Sequence, residues 1–244
     1  MSTKSNILNK NIYIQLKHIS TASLCTALYK RNLKNQFIQN VHKVDKKNEN
    51  MVGKAYTLRY IPAREDRNMI EVFRNENHPQ RIAVEECPPN YILVMDSRKN
   101  SRAASAGSIL VTRLMKRGVT GIVTDGGFRD TETISNLNIH SYHNRPSAPT
   151  NLTLHEAYDL NIPIGCGDVA VFPNDILVGD HDGVVVIPAY LVHEITDECV
   201  KMELFERFVL EEVNNGKSII GLYPSTKQST EIAYQNWVKN KSLY

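Results

Sequence analysis

The hydrophobic pattern along the chain changes character near residue 104. Before it, Ile7, Leu8, Ile12 and Leu16 fall at spacings that can share one helix face. Ser20 or Thr21 can cap a second helix carrying Leu24, Ala27 and Leu28. The stretch 32–50 is polar and reads as a loop with room for one strand. Gly53–Tyr60 reads as a strand closed by Pro62, and Tyr91–Met95, after Pro88-Pro89, as a short buried strand. After residue 104 helix and strand alternate. Ala104–Lys116 has helical character and ends at Gly118, and Val119–Thr124 is a buried strand broken by Asp125-Gly126-Gly127. Three short strands follow, Val169–Phe172, Ile176–Gly179 and Val184–Ile187. Pro173-Asn174-Asp175 and Asp180-His181-Asp182-Gly183 supply the turns between them.

Pro188 opens a long helix whose apolar positions, Val192, Ile195, Cys199, Met202, Phe205, Val209 and Val213, recur every three or four residues until Gly216. The tail with Trp237 makes a last helix or arm. No repeat or linker interrupts the pattern, so the expectation is a single domain over 1–244, with a core of about 20–215 and a C-terminal helical arm from 216.

Composition adds little to this. Hydrophobic residues are 41% and charged residues 23%, with a formal net charge of +3, too small to call for a nucleic-acid partner. The excess is concentrated in residues 1–50, where nine Lys or Arg face Asp45 and Glu49. Those lysines are not interleaved with aromatics as a nucleic-acid stacking surface would be, and read as a solvated face. Cys25, Cys87, Cys166 and Cys199 are widely spaced, which suits a reducing compartment. With no leader pattern and no spanning apolar run, the expected location is cytoplasmic, without a membrane partner.

The chemistry-bearing segment is Gly118–Asp130, in which a buried strand runs into a double glycine and then presents Arg129 beside Asp130. Glycines there permit unusual backbone angles and close ligand approach, and ligands favour the carboxyl ends of strands in α/β sheets. The pair offers a guanidinium fork for a carboxylate and a hard oxygen for a divalent cation. It is equally the composition of a structural ion pair, with Asp130 capping a helix at Thr131–Ile134. Upstream, Gly107, Ser108, Ile109 and Leu110 can present helix-start N–H groups to a carboxylate, or make a tight helix–sheet contact. Other sites are read as structural: Lys54 as a strand lysine rather than a Schiff-base former, and Asp180 and Asp182 as hairpin-turn residues. His140 and His143 lie in a loop before Arg145-Pro146 and could approach a metal.

Together, Gly107, Asp125-Gly-Gly-Phe-Arg129-Asp130, Pro163-Ile-Gly165-Cys-Gly167 and the run Pro173–Pro188 resemble the RraA-like family. That family holds 4-hydroxy-4-methyl-2-oxoglutarate aldolases and protein regulators of ribonuclease E. The resemblance implies an α/β fold: a β/β/α sandwich related to swivelling phosphohistidine domains, with helical N- and C-terminal extensions, assembled as a homotrimer or homohexamer. It implies a class II, metal-dependent lyase that releases pyruvate from a 4-hydroxy-2-oxo acid, with oxaloacetate decarboxylation as a side activity. Asp130 would bind Mg2+ or Mn2+, Arg129 the pyruvyl group, and the backbone of 107–110 the substrate carboxylate. The base would be water acidified by the ion. Glu206, or next Glu203, would reach in from a neighbouring subunit. Two positions depart from the pattern: Ser108 stands where the aldolases carry an acid, and Thr26 where many relatives carry Asp. The competing readings are a non-catalytic ribonuclease regulator, and a lyase or dehydratase on a sugar-acid-derived 2-oxo acid read by Tyr142, His143 and Arg145.

Overall fold

The computed structural model describes residues 8–241. Helix α1 (Lys10–Leu16) turns Ile12 and Leu16 inward under an Asn9 cap. Leu8 precedes it, and Ile7 lies outside the described residues. Helix α2 (Thr21–Tyr29) begins as its sequence dictates, with the Ser20 hydroxyl accepting from the Ser23 N–H. The polar stretch yields one short strand, β1 (His42–Lys43). Strand β2 (Met51–Pro62) then runs for 12 residues and helix α3 (Pro79–Glu86) starts on a proline, which has no N–H to lose at that position.

The α/β alternation follows: β3 (Tyr91–Asp96), β4 (Ala104–Ala106), α4 (Ser108–Lys116), β5 (Gly121–Thr124), β6 (Gly127–Phe128), α5 (Thr131–Ser135), β7 (His140–His143) and β8 (Arg145–Pro146). The remaining strands are β9 (His155–Leu160), β10 (Ile164–Cys166), β11 (Val169–Val171), β12 (Ile176–Gly179) and β13 (Val184–Ile187). Two expectations are corrected. The stretch from Ala104 is a strand until Gly107 breaks it, and only then a helix. His140–His143 is a buried strand rather than a loop, because β5 and β1 take up its backbone groups.

The main sheet has the order β1-β7-β5-β3-β2-β12-β13, with β9 pairing the far half of β2. Its centre, β2-β3-β5-β7, is parallel, and its flanks are antiparallel. Strand β3 shows why the sheet is buried twice. Leu93 and Met95 join the cluster of Val111, Leu114 and Ile134 from the helices, while Ile92 and Val94 join Cys166, Val169 and Val171 of the β10–β11 hairpin. Period-2 alternation sends neighbours to opposite faces, and both faces are apolar. The result is a mixed α/β fold with helices on one face and a hairpin on the other. Strands β4, β6 and β8 form a small parallel sheet of their own.

The chain divides into two compact units, Met1–Thr196 and Asp197–Tyr244. Pro188 leads first into a 3-10 turn (Ala189–Leu191), and the long helix α6 (Val192–Asn214) starts after it. In the second unit Phe208, Val209 and Leu222 form a small core with Phe205, Tyr234 and Trp237, the last two from helix α7 (Gln228–Lys241). Among the described residues, no helix is long and apolar enough to cross a membrane.

Candidate active site

Strand β5 ends in a tightly used turn. The Asp125 carboxylate is buried and accepts from the backbone N–H groups of Ser97 (2.7 Å), Lys99 (3.0 Å) and Gly167 (3.1 Å), so it ties three loops together. Burial still pushes its carboxyl above the usual range. The double glycine serves packing, not a ligand: neither Gly126 nor Gly127 has positive φ. A Cβ on Gly126 would stand 2.4 Å from the Ser105 hydroxyl, and one on Gly127 2.7 Å from Ser147. That corrects the expectation that a ligand approaches there. Ser97, Ser105 and Thr124 close a ring of hydroxyl contacts of 2.6–3.1 Å beneath this turn.

Beyond the glycines, β6 buries Phe128 and delivers Arg129, whose N–H donates to the Ala106 carbonyl (3.1 Å). The arginine therefore lies across the end of β4 and over Gly107. A Cβ at Gly107 would meet Arg129 Nε at 2.7 Å and Asp130 Oδ2 at 2.9 Å. Here the missing side chain is what lets the pair lie flat on the backbone.

Asp130 sits in the left-handed region, φ 59°, at the N-cap position of α5, yet makes no side-chain cap bond to it. Its Oδ2 instead crosses to α4 and accepts from both the N–H and the hydroxyl of Ser108, each at 3.0 Å. These bonds, the backbone one foremost, hold its carboxyl below the ordinary range, with help from Arg129 at 3.9 Å. A helix start made of N–H donors and the positive end of α4 explains why a carboxylate settles there. Arg129 and Asp130 keep 47% and 44% of their side-chain exposure, so both remain open to a ligand.

Arg129, Gly107, Ile109 and Leu110 line a cavity of about 120 Å³, together with Phe73, Arg81 and Gln80. That volume suits a small acid rather than a nucleotide-sized cofactor. Asp130 faces a shallower depression beside Phe128, Pro146 and Ser147. Arg81 and Phe73 were not singled out from sequence. They come from a turn and a helix whose only local signal is Pro79 followed by Ala83 and Val84.

The other candidates are placed as follows. Glu206 stands on α6 in the second unit, accepting from the Tyr223 hydroxyl at 2.8 Å, with Glu203 one turn earlier. His143 is buried in β7 with Nδ1 accepting from the Phe128 N–H (3.2 Å), and burial lowers its pKa to about 4. His140, three residues away along the strand, faces Asp45. The two imidazoles do not converge, and among the described residues no group of three or more His, Cys, Asp or Glu could hold a metal. Tyr142 is buried and donates to the Asp180 carbonyl, so Tyr142 and His143 are props of the fold rather than polyol readers; Arg145 is exposed. Lys54 lies over the Tyr91 ring, 6.0 Å from its centroid. Asp180 accepts from the Thr21 N–H and hydroxyl and from the Asp182 N–H, fixing the β12–β13 turn to α2. Thr26 donates to the Ala22 carbonyl within α2.

A family model described as RraA-like: Aldolase/RraA matches residues 21–186. A Halalkalibacterium halodurans protein named "Putative 4-hydroxy-4-methyl-2-oxoglutarate aldolase" is 29% identical over 141 residues, 58% of this chain and 61% of that protein. The chain spans about three fifths or less of the length of the first curated relatives it matches. Among solved structures, Streptomyces coelicolor RraAS2, titled an unusual member of the RNase ES inhibitor RraA protein family, superposes with a TM-score of 0.71 at 25% identity. That match covers 82% of this chain and 96% of the other. An uncharacterized Pseudomonas syringae protein gives a TM-score of 0.73 at 20% identity, covering 86% and 96%, and shares the fold.

Proposed function

The chain belongs to the RraA-like family, and from that premise we propose that it is a divalent-metal-dependent lyase cleaving a 4-hydroxy-2-oxo acid to pyruvate and an aldehyde or oxo acid. The observation that carries the proposal is the Arg129–Asp130 pair lying on Gly107, with Arg129 lining a small-acid cavity and Asp130 exposed beside it.

The residues fit a water-rich Mg2+ or Mn2+. Such ions are held by one or two carboxylates, with water and substrate completing the shell. Asp130 has one oxygen committed to Ser108 and a side chain 44% exposed, so the other oxygen is open. When bound, the ion supplies Lewis acidity toward the carboxylate and 2-oxo oxygens. The chain's own residues do the rest. The first-turn N–H groups of α4 at Ile109 and Leu110 receive the substrate carboxylate. Arg129 stands where the 2-oxo oxygen gains negative charge, a preorganised contact worth about 3 kcal/mol in comparable sites. A base takes the 4-hydroxyl proton, the C3–C4 bond breaks, and its electron pair becomes the enolate at C2, which takes up a proton at C3 to give pyruvate. Glu206, from the long helix of a neighbouring copy in a trimer or hexamer, is the carboxylate offered for proton transfer. Ser108 is not a base here, because its hydroxyl donates to Asp130.

The same Ser108 favours a second reading, a regulator acting by contact. It leaves Asp130 without an acidic neighbour, and no cluster of three metal-ligating side chains stands among the described residues. Pyruvate release from 4-hydroxy-4-methyl-2-oxoglutarate and oxaloacetate, with Mg2+, Mn2+ or EDTA, separates the two. The expected result is turnover that EDTA abolishes and Asp130→Ala lowers by at least about 100-fold. No turnover, with no Mn2+ binding by calorimetry, would put the regulator first.

A further inference from the structure

Residues 72–81 wall two cavities. Phe73, Gln80 and Arg81 line the one that holds Arg129, whereas Val72, Asn75 and His78 line another, of about 350 Å³, which Glu156 and Tyr158 of β9 complete. None of the residues assigned to the lyase reaction lines this second space.

His78 is the residue there that the fold leaves unsatisfied. It is 8% exposed, and its Nδ1 has no hydrogen-bond partner among the described residues. It stands at the N-cap of α3 without making a cap bond, and its ring meets the Phe73 ring edge-on at 5.2 Å. Burial, with the charge of Arg81, holds its pKa below the ordinary value, so the imidazole is neutral and can accept a hydrogen bond. A buried polar atom without a partner carries a cost that a ligand N–H removes. Glu156, whose charge is felt at His78, is 16% exposed along its side chain. Its oxygens take the Asn68 amide at 3.0 Å and one terminal nitrogen of Arg67 at 3.3 Å. Arg67 is 56% exposed, and an ion pair so open to water contributes little, so a ligand can part it at small cost.

These groups favour two opposite charges on one small molecule. The Glu156 carboxylate and the His78 imidazole accept, and suit an ammonium. The Arg67 guanidinium donates, and suits a carboxylate. Val72, Pro79 and Ala157 give the same cavity an apolar wall for the remainder of the molecule. We propose that this cavity binds a free aliphatic α-amino acid, its ammonium held by Glu156 and His78 and its carboxylate by Arg67. The site stands apart from the Arg129–Asp130 pair and does not depend on the reaction assigned to that pair.

Calorimetry on the full chain tests the site with L-leucine and two analogues. One is 4-methylpentanoate, which lacks the ammonium, and the other is 3-methylbutylamine, which lacks the carboxylate. L-Leucine should bind with a Kd of about 1 mM or below, and each analogue at least about 10-fold more weakly, the range for one charged hydrogen bond. Glu156→Gln should weaken L-leucine by about 10-fold or more. Arg67→Gln, at an exposed position, should do the same with the urea midpoint unchanged, and carries the test if Glu156→Gln does not fold. Arg129→Gln should leave L-leucine binding as in wild type, which locates the ligand outside the active-site cavity. No binding of L-alanine, L-valine or L-leucine at about 10 mM overturns the proposal. So does an analogue that binds as tightly as L-leucine, binding that survives in Arg67→Gln, or binding lost in Arg129→Gln.

Discussion

At the residue scale, Gly107 and Ser108 determine how the Arg129–Asp130 pair is presented. The sequence marks Gly107 as a possible helix-start donor. Its larger role appears only in three dimensions, where Arg129 Nε and Asp130 Oδ2 occupy the space a Cβ would fill, 2.7 and 2.9 Å away. Both are ends of side chains on the surface, so the fold can absorb a methyl group by moving them. Gly107→Ala should therefore leave the melting temperature nearly unchanged while lowering kcat/KM for the 2-oxo acid by roughly 10- to 100-fold, as expected for displacing reactive groups by about an ångström. A variant with full activity would show that the pair's position on Gly107 is incidental. Ser108 replaces a charge with two hydrogen bonds to Asp130, which keeps that carboxylate ionised but ties one of its oxygens.

At the element scale, the site depends on a two-residue strand. β6 is the central strand of its small sheet but offers only two residues to pairing. What anchors it is Phe128, fully buried in the helix-side core and 5.2 Å from the His143 ring, with its N–H held by that histidine. Phe128→Ala removes a large buried ring and should cost about 3–5 kcal/mol of stability, read as a lower urea midpoint. The loss should be accompanied by a fall in activity, because Arg129 follows directly in the chain. A cost under about 1 kcal/mol would mean that β6 is held by its neighbours instead. The short strands also explain which elements escaped the sequence pattern. β7 carries His140, Ser141 and His143, and β9 carries His155, Glu156 and Asp159. Their polar composition hides strands that pairing with β5, β1 and β2 makes.

At the scale of the whole molecule, burial of neutral imidazoles makes the fold sensitive to acid. Burial lowers both His143 and His155 to about 4, from an ordinary value near 6.5. Between those values the unfolded chain binds more protons than the folded one, so stability is complete above about 6.5 and is lost as pH falls towards 4. Each contributes at most roughly 3 kcal/mol across that window. Asp125, raised by its burial, acts in the opposite sense, but only nearer the carboxylate range. The urea midpoint should fall steadily from pH 7 to pH 5, and a flat profile would contradict the assigned burial of these rings.

The sequence by itself determined the parts whose physics is local. A Ser20 cap with apolar positions at helical spacing specifies α2. Short continuous apolar runs bounded by Pro, Asn, Asp and Gly turns specify β3, β12 and β13. Three-to-four spacing specifies α6. The ordered glycines and the Arg129-Asp130 pair likewise carry the resemblance to the family, whose model matches residues 21–186, because their order is written in the chain. Tertiary structure decided what depends on distant partners. It placed the Asp130 carboxylate on Ser108 instead of on its own helix, and filled the space at Gly126 and Gly127 with Ser105 and Ser147. It also brought Arg81 and Phe73 to the cavity of Arg129. Residues 73, 81 and 129 meet only after β2, α3 and β5 have packed, and a one-dimensional pattern records spacing along the chain but not contact across it.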